Sequence, residues 1–147
     1  MKVIRITKLF FFEMAHALWN YDGACKNIHG HSYKLYVTLI GNIKNDKTSP
    51  KNGMVIDFSD INNIVKSAII NKFDHALVIS EDAVYNSQLL NQLSEKIIIT
   101  GFQPTVENLL IYFTDILNNK IPDHVKLYSL KLQETETSYA EWFSDDN

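Results

Sequence analysis

Two long β-rich segments near the start of the chain are separated by one short polar loop. Residues 3–14 are rich in Val, Ile, Thr and Phe, and residues 31–41 read His-Ser-Tyr-Lys-Leu-Tyr-Val-Thr-Leu-Ile-Gly. Both compositions favour extended structure. The loop contains Asn20, Asp22 and Gly23, which favour turns. The chain therefore begins with two predicted strands, and pairing as a hairpin would place the end of the first beside the second.

Two amphipathic helices are predicted after this pair of strands. Apolar residues recur at helical spacing across residues 61–69, and Asp57 or Ser59 is available to cap the start of that helix. The second helix is expected directly after Pro104, with Thr105 as its N-cap. Residues 80–103 are expected to contain a short helix and a strand.

The last third of the chain completes the predicted sheet. Residues 125–133 and 137–143 are expected to form two further strands joined by a tight turn. The order strand-strand-helix-helix-strand-strand is typical of an α+β fold, a four-stranded antiparallel sheet with two helices on one face. Neighbouring subunits often cover the exposed edges of so small a sheet, so we expect an oligomer.

Composition narrows the class of protein. A chain of 147 residues is expected to form a single domain, residues 1–147. The net charge is −3 and no basic cluster occurs, which argues against a nucleic-acid partner. No run of eighteen apolar residues predicts a membrane span, and the N-terminus lacks a signal-peptide pattern. A single cysteine fits the reducing cytoplasm.

The segment Cys25-Lys26-Asn27-Ile28-His29-Gly30-His31 suggests a metal site with its own reactive group. In a strand, His29 and His31 point to the same face, and His16 would join them from the neighbouring strand. Three histidines with an open fourth position are the pattern of a catalytic zinc. Cys25 has three readings that the residues leave open: a nucleophile or acid/base, a fourth zinc ligand, or a buried structural thiol.

Other polar residues are candidates with ordinary structural alternatives. The dipeptide Asp74-His75 suits acid/base work near neutral pH, but a histidine after a helix also interacts favourably with the helix dipole. Glu134, at a strand end, is either solvated or a bidentate acceptor for paired N–H groups of a heterocycle. Thr105 and Glu107 are explained locally as a cap and a first-turn acid.

Six segments together resemble one known family, and they occur in that family's order: Phe12-Glu13-Met14-Ala15-His16, Cys25-x-x-x-His29-Gly30-His31, Gly53-Met54-Val55-Ile56-Asp57-Phe58, Phe73-Asp74-His75, Pro104-Thr105-Val106-Glu107-Asn108 and Glu134-Thr135. The chain resembles the 6-pyruvoyl tetrahydropterin synthase / 6-carboxytetrahydropterin synthase family over nearly its whole length. The resemblance implies a tunnelling fold, in which subunit sheets close into a barrel with helices outside. It also implies a homohexamer of two trimers, with active sites at subunit interfaces.

The resemblance implies a role for each candidate residue. A zinc ion would be held by His16, His29 and His31. Cys25 would be a proton-transferring thiol, and Asp74 with His75 would complete the catalytic group. Glu134 is similar to the glutamate that anchors the pterin ring, while Thr105 and Glu107 match the pterin-pocket segment. Zinc, as a Lewis acid, would acidify the C–H next to the bound substrate hydroxyls.

The implied substrate is 7,8-dihydroneopterin triphosphate, from which the family makes two products. The spacing Cys25-x-x-x-His29-Gly30-His31 looks like the branch that releases triphosphate and acetaldehyde to give 6-carboxytetrahydropterin, a queuosine precursor. Met54 looks more like the branch that eliminates triphosphate to give 6-pyruvoyl tetrahydropterin. We favour the first product. A non-catalytic zinc-containing pterin-binding oligomer is the third hypothesis, and it has no use for Cys25, Asp74 and His75 together.

Overall fold

Six strands form one sheet in the computed structural model, which describes residues 2–83 and 87–147. In chain order they are β1 (Val3–His16), β2 (His29–Asn42), β3 (Ala76–Ser80), β4 (Ile97–Thr100), β5 (Val125–Thr135) and β6 (Ser138–Phe143). Across the sheet the order is β4-β3-β1-β2-β5-β6. The predicted strands at 3–14, 31–41, 125–133 and 137–143 are confirmed, with β1 and β2 extending to include His16 and His29.

The sheet is mixed, so the prediction of a four-stranded antiparallel sheet is wrong in both respects. β1 and β2 pair antiparallel along their whole length, and β5 and β6 continue the antiparallel half. β3 and β4 add a parallel half beyond β1. β3 is short and wholly buried, so it lacks the alternation of apolar and polar residues that identifies a strand exposed on one face.

The helical segments exceed the two that were predicted. α1 (Phe58–Val65) runs through a π-helical turn (Lys66–Ile70) into α2 (Asn71–Phe73). α3 (Ser87–Leu93) and β4 are the short helix and strand expected within residues 80–103. α4 (Val106–Asn118) begins where the sequence places it. Both predicted caps form, because Asp57 accepts a hydrogen bond from the Ser59 amide and Thr105 accepts one from the Asn108 amide.

Side-chain alternation divides the sheet into two faces. One face carries the main core, in which Phe12 of β1 and Leu35 of β2 lie among residues from α1 and α4 such as Ile61 and Phe113. Alternate residues of β3 point to the opposite face of the sheet, where Leu77 and Ile79 contact Leu90 of α3. The prediction of helices on one face therefore holds for α1 and α4, whereas α3 covers the opposite face.

No helix in the described ranges has the length and apolar character that crossing a lipid bilayer requires. The paired ends of β1 and β2 lie at the border of the main core. This border carries the histidines that the sequence singles out.

Candidate metal centre and active site

Three histidines converge where β1 ends and β2 begins. His16 lies directly opposite His29 in the strand register, and Met14 lies opposite His31. The ring centroids are 4.6 Å apart for His16–His29, 5.2 Å for His16–His31 and 4.8 Å for His29–His31. One ligand atom from each ring lies within 4.8 Å of the others, so the group could hold a metal ion. The convergence that strand alternation predicts is therefore present.

Backbone carbonyls orient two of these rings. His16 Nδ1 lies 2.7 Å from the Pro104 carbonyl, and His29 Nδ1 lies 2.7 Å from the Asn27 carbonyl. Because a carbonyl oxygen only accepts, each Nδ1 carries the proton, and in the neutral ring Nε2 keeps its lone pair. The two Nε2 atoms face each other at 3.1 Å. Metal-binding histidines commonly donate their second N–H in this way, which fixes the ring for the ion.

Burial favours the neutral, metal-binding form of His16 and His31. His16 is only 1% exposed, and this desolvation lowers its pKa despite the Pro104 hydrogen bond and the nearby Glu134 charge. Burial likewise lowers the pKa of His31, against the opposing charge of Glu134. His31 Nε2 is buried and has no hydrogen-bond partner in the described part of the chain. Neutral imidazole rings, one of which has a buried nitrogen without a hydrogen-bond partner, fit a zinc ion, for which nitrogen is a preferred ligand.

Glu134 belongs to the same cluster. Its Oε1 atom lies 3.4 Å from His16 Nε2 and 3.6 Å from His31 Nε2. The pairing of Lys34 in β2 with Gln133 in β5 brings the next residue, Glu134, to this position. The predicted site residue from β5 therefore lies beside the histidines.

Tyr33 is a site residue that the sequence reasoning missed. Its hydroxyl donates to Glu134 Oε1 at 3.3 Å, and the side chain is fully buried. Burial, with the Glu134 charge, raises the pKa of Tyr33 far above its ordinary value, so the hydroxyl stays protonated. The signal was available, because Tyr33 lies two residues beyond His31 and so faces the same side of β2.

Cys25 lies on a single 3-10 turn, Ala24–Lys26, as a free, half-buried thiol. The loop around it closes through a 2.9 Å hydrogen bond from the Leu18 amide to the Cys25 carbonyl. The structure thus places the backbone of Cys25 beside Leu18, two residues beyond His16.

Gln103 ties this loop to the start of α4 and was also missed from sequence. Its Oε1 accepts from the Trp19 amide at 2.9 Å, and its Nε2 donates to the Trp19 carbonyl at 2.7 Å. The next residue, Pro104, supplies the carbonyl that orients His16. Two consecutive residues therefore anchor both the Cys25 loop and the first histidine.

Asp74 and His75 form a pair at the turn between α2 and β3. His75 Nδ1 lies 3.0 Å from Asp74 Oδ2, and the Glu13 amide donates to Asp74 Oδ1 at 2.9 Å. Burial raises the pKa of Asp74, but the hydrogen bonds from Glu13 and His75 outweigh it, so the net shift is downward and the carboxylate stays ionised. His75 has a φ of +61°, an uncommon value for a residue with a side chain, and such strain is concentrated at functional sites.

A cavity of about 480 Å³ extends from His75 to His31, one of the three clustered histidines. His31 and His75 both line it, together with Glu13 and Ser32 and the apolar side chains of α3. Its volume lies within the range of small-molecule sites. His75 is mostly exposed, with 76% of its side chain accessible. One predicted metal ligand, His31, and one member of the predicted acid/base pair, His75, therefore line the same cavity.

The two remaining predicted residues lie at the start of α4. Thr105 caps the helix with its side-chain oxygen, which is the structural role that the sequence predicted. It directly follows Pro104, so it lies next to the residue that orients His16. Glu107 is exposed in the first turn. Both residues therefore have a local structural role at the start of the helix. Thr105 is the nearer of the two in sequence to Pro104, which contacts His16.

Comparison with known proteins places the chain in a family. The family model for 6-pyruvoyl tetrahydropterin synthase matches residues 5–145. The 6-carboxy-5,6,7,8-tetrahydropterin synthase of Haemophilus influenzae is 38% identical over 143 residues, covering 95% of this chain and 99% of the relative. The enzyme of the same name from Rickettsia typhi is 34% identical over 142 residues, with the same coverage of both chains.

A solved structure supports the fold. The 6-pyruvoyl tetrahydropterin synthase of Caenorhabditis elegans superposes with a TM-score of 0.71 and 23% identity, covering 98% of this chain and 97% of that one. The predicted α+β class is thereby confirmed at the level of the fold. The family model and both relatives cover nearly the whole chain. The chain belongs to the 6-pyruvoyl tetrahydropterin synthase family.

Proposed function

We propose that the protein is a 6-carboxy-5,6,7,8-tetrahydropterin synthase, a lyase that acts on 7,8-dihydroneopterin triphosphate in queuosine biosynthesis. The products would be 6-carboxytetrahydropterin, acetaldehyde and triphosphate. The observation that carries this proposal is the 38% identity, over 95% of the chain, to the Haemophilus influenzae protein of that name. The short spacing between Cys25 and the histidine pair supports the same branch.

We propose zinc as the cofactor, held by His16, His29 and His31, whose donor atoms fit a borderline-soft ion with nitrogen ligands. When bound, zinc would supply Lewis acidity that lowers the pKa of the substrate C–H. The catalytic proton transfers would fall to Cys25 and to His75, with Asp74 orienting the His75 ring through the 3.0 Å contact. A thiol and an imidazole on different segments are suited to move protons on different sides of one carbon.

Glu134 would anchor the pterin ring by accepting two parallel N–H hydrogen bonds, and so supply orientation. Its carboxylate already faces the histidine cluster at 3.4 Å, so a ring bound there would have its side chain next to the metal ligands. Thr105 and Glu107 would complete the pterin pocket from the start of α4. The cavity shared by His31 and His75 is large enough for the substrate's bicyclic ring.

We propose that the chain acts as one domain, residues 1–147, in a cytoplasmic homohexamer of two trimers. Exposed apolar side chains on the parallel half of the sheet support assembly, because Ile99 of edge strand β4 is 66% exposed and Leu93 of α3 is 73% exposed. The high exposure of His75 is consistent with a site that another subunit completes.

A second candidate is elimination of triphosphate alone, giving 6-pyruvoyl tetrahydropterin. The residue that favours it is Met54, which is 39% exposed and lines a separate cavity of about 630 Å³. A third candidate, pterin binding without turnover, is disfavoured by the Asp74–His75 contact and by the cavity that His75 shares with His31.

The test is a mass-resolved product assay on the zinc-loaded protein with 7,8-dihydroneopterin triphosphate. We expect 6-carboxytetrahydropterin together with acetaldehyde. Pyruvoyl tetrahydropterin without acetaldehyde would move the protein to the second candidate. Absence of turnover with zinc bound would favour the third candidate or another pterin substrate.

A Cys25→Ala variant tests the role of the thiol in the same assay. We expect zinc and pterin binding to persist while turnover falls by roughly 100-fold or more, the usual contribution of a positioned acid/base group. Unchanged turnover would refute the assignment of Cys25. The matched control is His124→Ala, because His124 is exposed in a turn and is outside the cluster of histidines.

A further inference from the structure

Several hydrogen-bond acceptors at the histidine cluster face each other without a matching number of donors. With Nδ1 protonated on His16 and on His29, both Nε2 atoms present lone pairs, and they are 3.1 Å apart. The Glu134 carboxyl group adds an oxygen 3.4 Å from His16 Nε2. The one described hydrogen-bond donor to that oxygen is the Tyr33 hydroxyl. Converging lone pairs of this kind repel one another unless a cation lies between them.

Three of the six distances among these donor atoms are close to those expected for four donors around one small ion. Zinc bonds of 2.0–2.1 Å in tetrahedral geometry place neighbouring donors about 3.3–3.4 Å apart. The distances are 3.1 Å for His16 Nε2 to His29 Nε2, 3.4 Å for His16 Nε2 to Glu134 Oε1 and 3.6 Å for His31 Nε2 to Glu134 Oε1. Glu134 is therefore placed among the donor atoms and is not merely near them.

Tyr33 holds the carboxylate in this position. Its ring is fully buried and stacks on Phe12, with centroids 5.1 Å apart and an angle of 9° between the planes. The hydroxyl therefore has little freedom to move, and it donates to Glu134 Oε1 at 3.3 Å. A rigid donor on the far side of the carboxylate acts as metal-site partners outside the ligand set generally do: it orients the ligand.

We propose that Glu134, oriented by Tyr33, is the fourth protein ligand of the metal in the pterin-free enzyme and leaves the metal when pterin binds. The inference deepens the proposed function, because it concerns the same metal site. One carboxylate then has two successive partners, the metal in the resting state and the ring N–H groups in the complex. Its departure opens the coordination position that substrate hydroxyls need, so the metal becomes reactive only when the ring is in place.

The test is the zinc affinity of the pterin-free protein, measured by competition with a chromophoric chelator at fixed pH. We expect Glu134→Gln to bind zinc roughly 100-fold more weakly and Tyr33→Phe about tenfold more weakly. The matched control is Glu136→Gln, because Glu136 lies on the same hairpin but is 84% exposed and paired with Lys34. That variant should bind zinc with unchanged affinity.

A spectroscopic readout detects the exchange of partners directly. Cobalt(II) replaces zinc as the probe, and its visible absorption reports a change of ligand. Addition of 7,8-dihydroneopterin should change the spectrum of the wild type, whereas the Glu134→Gln variant should already show a different spectrum before pterin is added.

Zinc affinity of Glu134→Gln within twofold of the wild type would overturn the proposal, and Glu134 would then serve the pterin alone. Folding of each variant is verified by urea denaturation, and Tyr33→Phe preserves the buried ring. Because these measurements need no turnover, their failure is separable from failure of the proposed function. The latter would appear as the wrong product from a protein whose metal affinities behave as predicted.

Discussion

Mild acid is predicted to destabilise the metal-free protein through the histidine cluster. Burial lowers the pKa of both His16 and His31 below the ordinary value of 6.5. As the pH falls below 6.5, the unfolded chain therefore takes up protons that the folded protein still excludes. The free energy of unfolding then decreases with falling pH, from about 6.5 down to the folded pKa values of these two residues.

The size of the effect follows from proton counting. Each histidine that is protonated only in the unfolded chain contributes at most about 1.4 kcal/mol per pH unit, so the two together give at most about 2.8 kcal/mol per pH unit. Domains are stable by only about 5–15 kcal/mol in total, so one pH unit removes a large share. Asp57 acts in a different window. Its pKa is lowered to about 2, chiefly by the Lys51 hydrogen bond. Asp57 therefore stabilises the folded protein at pH values above the ordinary carboxyl pKa of 3.8, and this stabilisation is lost as the pH falls towards 2.

The assay is urea denaturation in the presence of a metal chelator, at closely spaced pH values between 7 and 5. His16→Gln should reduce the dependence on pH, because one of the two titrating groups is removed. His124→Gln, an exposed control outside the cluster, should preserve it. A free energy of unfolding that stays constant or rises on acidification would refute this prediction. It would mean that the Glu134 charge affects the pKa values of the two histidines more than burial does.

Three further perturbations have defined outcomes. Phe12→Ala removes a buried ring that stacks on Tyr33, and urea denaturation should show a loss of about 3–5 kcal/mol. Thr105→Ala removes the cap of α4 and should lower the free energy of unfolding by about 1 kcal/mol, whereas Thr105→Ser should retain most of that stability. An equal loss in both variants would contradict the capping role. Gln103→Ala removes both hydrogen bonds to Trp19, so alkylation of the single thiol by iodoacetamide should accelerate; an unchanged rate would show that Gln103 does not hold this loop.

Local regularities of the sequence account for what was predictable. Strand alternation alone places His29 and His31 on one face, and the pairing of adjacent segments adds His16. Capping rules locate the start of α4 at Thr105 and narrow the start of α1 to Asp57 or Ser59, of which Asp57 is the cap. These features depend on residues close in sequence or on two neighbouring strands, so few alternatives compete with them.

Contacts between distant segments account for what was missed. β3 and β4 pair parallel to their neighbours, and such pairing leaves no turn signal in the sequence. The approach of Glu134 to His16 depends on the register between β2 and β5, which the intervening helices separate by about a hundred residues. The side chain of Gln103 forms hydrogen bonds with the backbone of Trp19, and no sequence pattern predicts a contact of that kind.

The central claim is that the three histidines form the metal centre of a lyase that releases acetaldehyde. The most direct measurement is a zinc titration of the metal-free protein, with acetaldehyde release from 7,8-dihydroneopterin triphosphate recorded at each step. The account predicts that release rises with added zinc and stops rising at one zinc ion per chain, whereas His29→Ala shows no such rise. Acetaldehyde release that is independent of zinc, or zinc saturation without any acetaldehyde, would contradict it.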